Sequence, residues 1–214
     1  VCSLTFDAAW GNEDTQELID ILDQYNVKAT FFVVGDWVEK YPGSVKALSD
    51  AGHEVMSHSN HHDHFNTLSA QEIIDDLNAC NDKIEAVTGV RPTLFRPPYG
   101  EYDDHVISTV RGLGIQPIQW DVDSLDWKDY DAATITQRVT EKVGPGSIVL
   151  FHNAALHTPE ALPGIMEYLL GQGYSIVPVR QLVLSGEEGT DYTIAHTGRQ
   201  CPLQEGGTQT QGWA

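Results

Sequence analysis

The chain has 214 residues, with 12 basic against 31 acidic side chains and a net charge of −19. That length suits one domain able to bury a sizeable core, and the charge argues against nucleic acid or an anionic membrane surface as partner. No run of roughly 18 apolar residues and no basic-then-apolar leader is present. Val1 to Phe6 already read as a strand, so the chain is expected to be a domain excised from a longer protein. Three cysteines are too few and too scattered for a disulfide framework. Cys2 and Cys80 read as small core residues.

In chain order, short apolar runs rich in β-branched and aromatic residues recur near 2–7, 28–34, 53–57, 93–96, 115–121, 147–152 and 174–178, which predicts about seven strands. The segments between them carry helical periodicity. The first, about 14–25, places Leu18, Ile21, Leu22 and Tyr25 on one stripe. A second opens with the capping box Ser69-Ala-Gln-Glu72, carries Ile73, Leu77, Cys80, Ile84 and Val87 inward, and stops at Gly89. Further helices are expected over 103–112, over 131–143 with Asp131 as cap, and over 158–171 with Thr158 as cap and Pro159 in the first turn. From Ser185 onward the pattern gives way to Gly, Thr, Gln and Glu. The expected division is therefore a domain over 1–184 and an irregular tail over 185–214.

Strand-to-helix alternation makes this an α/β chain with a parallel sheet, either open and doubly wound or closed into a barrel. Ionisable residues sit where strands end: Asp7, His58, Arg96, Asp121 with Asp123, and His152. Both folds build their sites on that face, and a barrel lets many strands contribute to one centre. No glycine-rich dinucleotide fingerprint or phosphate loop follows the first strand.

The stretch from Gly52 to His64 holds five of the nine histidines, and neutral imidazole is the commonest metal ligand. His58 and His62 stand four apart, a spacing that puts two imidazoles on one face of a helical turn. By spacing alone, His58 with His61 or His61 with His64 would serve as well.

Thr5-Phe-Asp7, His58-Ser-Asn-His-His62, Arg96-Pro-Pro-Tyr-Gly100, Asp123-Ser-Leu-Asp-Trp127 and Leu150-Phe-His152 resemble, in order and spacing, the five motifs of the polysaccharide deacetylases, carbohydrate esterase family four with its NodB-like domains. The resemblance runs from about residue 3 to 182. It implies a distorted (β/α) barrel with seven or eight strands and metal-dependent removal of acetyl groups from glycans. It also implies roles: Asp7 as general base, His58 and His62 as metal ligands, Arg96 as the partner that keeps Asp7 ionised, and Tyr99 as donor of a backbone N–H to the oxyanion. His152 takes the part of general acid, with Asp126 ahead of Asp123 as its carboxylate. Leu150 would line the slot for the acetyl methyl, and Trp127 would either wall the substrate groove or pack in the core.

One departure bears on the metal. The family usually has two adjacent aspartates in the first motif, the second being the third metal ligand, whereas this chain reads Asp7-Ala8-Ala9-Trp10-Gly11. Water fills that place, or a carboxylate enters from Glu13 or Asp14. Asp14 is preferred, although it is equally placed to cap the first helix.

The resulting expectation is a divalent-metal hydrolase, zinc first with cobalt, nickel or manganese as substitutes, that deacetylates an N-acetylated glycan outside the cytoplasm. Peptidoglycan N-acetylglucosamine ranks ahead of chitin oligosaccharides, with acetylxylan third. The alternative from another class is a glycan-binding barrel without turnover.

Overall fold

The computed structural model describes residues 1–203. Two compact units divide the chain, Val1–Leu182 and Val183–Ala214. In the second, β8 (Tyr192–Ile194) and β9 (Gln200–Pro202) pair antiparallel. Of the tail expected over 185–214, residues 204–214 lie outside the described residues.

The first unit is built on seven parallel strands: β1 (Ser3–Ala8), β2 (Thr30–Val33), β3 (Glu54–Ser57), β4 (Leu94–Phe95), β5 (Gln116–Pro117), β6 (Val122–Asp123) and β7 (Ile148–His152). Their order in the sheet is β5-β4-β3-β2-β1-β7-β6. The central strands are buried along their whole length, as suits strands covered on both faces and rich in Phe, Val and Thr.

Of the strand expected over 115–121 only β5, Gln116–Pro117, forms; β6 follows just beyond it, and the two make the opposite edges of the sheet. In a flat sheet those edges would stand roughly 29 Å apart. The link over 118–121 reaches at most roughly 18 Å from Pro117 to Val122. The sheet therefore curls toward a barrel, and this short link bridges the gap. The run expected over 174–178 contributes only an isolated parallel bridge, Ile176 to Cys2.

The helices follow from their local sequence. In α1 (Thr15–Gln24), Leu18, Ile19 and Leu22 face inward. Two helices lie between β2 and β3 where none was expected: α2 (Gly35–Lys40) and α3 (Pro42–Asp50), the latter started by Pro42. Their buried Trp37, Val38, Val45 and Leu48 show a helical spacing too short to stand out in sequence. In α4 (Ala70–Thr88) the capping box of Ser69 and Glu72 forms, and Gly89 closes the helix at φ 74°. Asp103 and Asp131 cap α5 (Asp104–Gly112) and α6 (Ala132–Thr140) through their side chains. The cap expected of Thr158 does not form. His157 is the capping residue of α7 (Thr158–Gly171), and the Thr158 hydroxyl is committed elsewhere. A short α8 (Val179–Leu182) ends the unit.

Phe6, Phe31 and Phe151 stack across β1, β2 and β7, with centroids 4.8 and 5.4 Å apart. They join the main apolar cluster between sheet and helices. Cys2 and Cys80 are buried and unpaired with one another.

Candidate active site

Register and alternation decide what the ends of β1 and β7 present. Thr5 lies beside Leu150 and Asp7 beside His152, so these four side chains share one face of the sheet. Leu4, Phe6, Ala8, Val149 and Phe151 take the other face and pack in the main apolar cluster. Ala8 thus has no donor to offer, and its side chain belongs to the face opposite Asp7.

Arg96 follows β4 directly and is fully buried. One guanidinium nitrogen, Nη1, donates to Asp7 Oδ1 at 2.9 Å and to Thr5 Oγ1 at 2.7 Å, while Nη2 donates to the Gln119 carbonyl at 3.2 Å. Phe32 lies 4.3 Å beneath the guanidinium carbon. Burial by itself opposes ionisation of Asp7. The positive charges that face it, on His58 when protonated, on Arg96 and on His152, outweigh burial and hold the carboxyl below its usual range.

His58 leaves β3 and is buried. Its Nδ1–H donates to the Arg96 carbonyl at 2.8 Å, since a carbonyl only accepts, which leaves the Nε2 lone pair free and 3.5 Å from Asp7 Oδ2. The helical turn expected from His58 to His62 is absent. Instead Ser59 and His62 both adopt left-handed backbone, with φ 74° and 61°, and the His62 N–H donates to Ser59 Oγ at 2.8 Å. This tight loop folds the two imidazoles together, 4.9 Å between centroids. Burial lowers the pKa of both, that of His62 to about 4, so the rings are neutral near pH 7. His61 turns away to Asp36 at 2.9 Å, and His64 to Glu101 at 2.8 Å.

Tyr99 sits in the 3-10 turn Pro98–Gly100 with φ 60°, a left-handed conformation that costs on the order of 1 kcal/mol in a non-glycine residue. Its exposed ring contacts His62 and stacks on His64, with centroids at 4.5 and 4.1 Å. Gly100 follows at φ 68°, where a Cβ would meet the Trp120 ring at 2.6 Å. No other residue type fits there without rearrangement.

His152 and Asp126 form a dyad. Asp126 is fully buried in the turn after β6. It accepts from His152 Nδ1 at 2.8 Å, from the His152 backbone N–H at 2.8 Å and from the Thr158 hydroxyl at 2.7 Å. Burial disfavours the imidazolium, but the hydrogen bond and charge of Asp126 prevail and raise the His152 pKa. Asp123 is turned onto the Leu125 N–H instead, at 2.9 Å. Leu150 is buried at 3% exposure, whereas Trp127 is 57% exposed and so is not a core residue.

Asp14 is not brought together with His58 and His62. Among the described residues no three His, Cys, Asp or Glu side chains are arranged to hold a metal ion. Asp14 Oδ2 instead accepts from the Ala154 N–H at 2.8 Å, its Oδ1 is buried without a partner, and burial lifts its pKa to about 6. Asn153 completes this clasp, donating through Nδ2 to the Gly11 carbonyl and through its backbone to Asp7 O. The loops after β1 and β7 are thereby tied together. A divalent ion still has two neutral imidazoles to bind, His58 and His62, with the remaining positions left to water.

Sequence reading missed two members of the site. Thr5 is readable, since it precedes Asp7 by two on the same strand face. Thr158 is not, because its place ahead of Pro159 imitates a helix cap.

A curled parallel β/α sheet with a buried acid, its arginine, two converging histidines and an Asp–His dyad on one strand-end face defines a β/α-barrel hydrolase domain. Residues 1–118 match the family model described as polysaccharide deacetylase. The chain belongs to the polysaccharide deacetylase family. It is similar to peptidoglycan-N-acetylmuramic acid deacetylase PdaC of Bacillus subtilis, 38% identical over 182 residues, covering 85% of this chain and 38% of PdaC. Peptidoglycan-N-acetylglucosamine deacetylase PgdA of Listeria monocytogenes is 37% identical over 180 residues, covering 84% of this chain and 38% of PgdA. This chain thus spans well under half the length of those two relatives. Among solved structures, BA3943 of Bacillus anthracis, described as a family pseudoenzyme, superposes with a TM-score of 0.82 at 38% identity, covering 85% of this chain and 64% of BA3943. A mutant of BA3943 is described as having restored enzymatic activity.

Proposed function

We propose that this domain removes the acetyl group from an N-acetylated amino sugar of peptidoglycan, N-acetylglucosamine first. One observation carries the reading: Asp7 and His152 are adjacent in register on β1 and β7, and separate partners, Arg96 and Asp126, help to lower the pKa of the one and raise that of the other. A pair of proton-handling groups whose environments push them apart is what an acid–base hydrolysis requires.

In the mechanism, ionised Asp7 takes the proton from the attacking water, and Arg96 keeps it in the anionic form. His152, protonated more readily than a free histidine because of Asp126, gives a proton to the departing amine. The Tyr99 backbone N–H is assigned to the oxyanion, a role that asks nothing of its ring. A divalent ion held by His58 and His62 would supply Lewis-acid stabilisation of negative charge. Exposed aromatic residues on loops after the strand ends, Trp10, Tyr99, Tyr102, Trp127 and Tyr130, suit a carbohydrate partner. Among the described residues no helix is long and apolar enough to cross a membrane. Action on the cell wall, outside the cytoplasm, follows from the substrate.

The PdaC likeness favours N-acetylmuramic acid as a second substrate reading. Ala8, together with the BA3943 likeness, favours a second functional reading, a glycan-binding barrel without turnover. Acetate release from peptidoglycan fragments, chitooligosaccharides and acetylxylan, with metal occupancy measured in the same sample, separates these. Turnover that Asp7→Asn abolishes while glycan affinity persists supports the enzyme. No acetate at near-full occupancy with zinc, cobalt, nickel or manganese refutes it.

A further inference from the structure

An acid sits on the inward side of α4. Ile73, Leu77, Cys80 and Ile84 form the buried stripe of that helix, and helical spacing puts Asp76 on the same side, three residues after Ile73 and four before Cys80. A carboxylate in that position needs a partner. Asp76 Oδ1 accepts from the Asn60 backbone N–H at 2.8 Å. Asn60 is buried and stands midway in sequence between His58 and His62. The carboxylate therefore reaches the middle of the loop that carries both imidazoles.

The same loop is held by α2. The backbone N–H groups of Gly35 and Asp36 donate to the carbonyls of Ser59 and Asn60 at 2.9 and 3.0 Å. A Cβ on Gly35 would run into Asn60 Oδ1 and stand 3.1 Å from Asn60 Cα, so this close approach requires glycine. Both backbone groups of Asn60 are thus bonded, the N–H to α4 and the carbonyl to α2. The grip matters because Ser59 and His62 are left-handed, a backbone that persists only where its surroundings over-determine it. Without the grip, the loop has less strained conformations in which His62 leaves His58. Ala8 adds to the demand. With no carboxylate at that place to complete the ligand set, binding of a divalent ion depends on two imidazoles spaced in advance.

We propose that Asp76 is a positioning residue for the metal site: by accepting the Asn60 N–H it fixes the loop that sets His62 beside His58. The inference rests on the two-histidine metal reading above. Its test is a calorimetric titration of zinc into metal-free protein at pH 8, where Asp76, lifted by burial to about 6, is ionised. Asp76→Ala should weaken zinc binding about tenfold. Asp76→Asn keeps an acceptor oxygen for the Asn60 N–H and should recover most of the loss. Asp76→Ser, whose hydroxyl stops one bond short, should behave as Asp76→Ala and replaces it if the alanine variant does not fold. Ser69→Ala loosens the start of the same helix without touching the loop, and should bind zinc as wild type does. Equal zinc affinity in wild type and Asp76→Ala overturns the proposal. So does a loss in Asp76→Asn or in Ser69→Ala as large as that in Asp76→Ala, and so does a wild type that binds no zinc. The readout does not need acetate release: absence of turnover defeats the deacetylase reading and leaves the zinc comparison to decide for Asp76.

Discussion

Replacing Asp14 with Asn separates a metal ligand from a buried structural acid. The Asp14 carboxyl is lifted from 3.8 to about 6, first by burial and against the help of the Ala154 N–H. Its folded pKa therefore lies above its unfolded one, and ionisation works against the fold. That cost is fully present above pH 6, shrinks as pH falls toward 4, and is absent below. Its size is at most about 3 kcal/mol at pH 8, which for a domain of this length is roughly 6–12 °C in melting temperature. The Asn amide adds an unmet donor costing about 1–2 kcal/mol at every pH. The readout is accordingly the change, between pH 8 and pH 4, in the melting-temperature difference of variant and wild type. The variant should gain relative to wild type at pH 8 and lose that gain at pH 4. Zinc titrated into both proteins at pH 8 should raise the two melting temperatures equally, because Asp14 stands apart from His58 and His62. A pH-independent difference would refute the buried-acid reasoning, and loss of the zinc effect in the variant would make Asp14 the third ligand.

Asp126→Asn removes the anion that raises the His152 pKa. The basic limb of the pH–rate profile should move down, and an unmoved limb would break the dyad assignment. His152→Ala should lower turnover by about 10²–10⁴-fold with unchanged metal content by elemental analysis. Arg96→Leu strands Asp7 as a buried, unpaired carboxylate and should cost about 3–5 kcal/mol near pH 7 in denaturant unfolding. Because the Asp7 pKa is depressed in the fold, the stability it contributes is lost as pH falls, so the Arg96→Leu deficit should narrow in acid. A deficit constant with pH would place the loss in packing alone.

Much of the fold is legible in the chain because the relevant physics is local. The Ser69–Glu72 capping box, the Gly89 stop, the Asp131 cap and the β-branched strand runs each act within a few residues, and the structure carries them out. The five motifs likewise announce the family, since residue type and order survive without coordinates. What sequence alone leaves open depends on residues far apart in the chain. The run at 115–121 shortens to β5 and leads on to β6 at Val122–Asp123, because a curled sheet has two edges that a short link must join. Pairing of His58 with His62 comes from two left-handed residues rather than from a helical turn, and periodicity does not encode backbone handedness in non-glycine residues. Thr158 resembles a helix cap in sequence, yet its hydroxyl goes to Asp126, 32 residues away in the chain. Asp14 reads equally as cap or ligand in sequence; in the fold it stands at the N-cap position of α1 without a side-chain cap bond, and its carboxylate accepts from the Ala154 N–H, 140 residues distant. Sequence determines which groups are available. Tertiary structure decides which partner each one meets, because a buried polar atom takes whatever donor or acceptor the folded chain brings within hydrogen-bond reach.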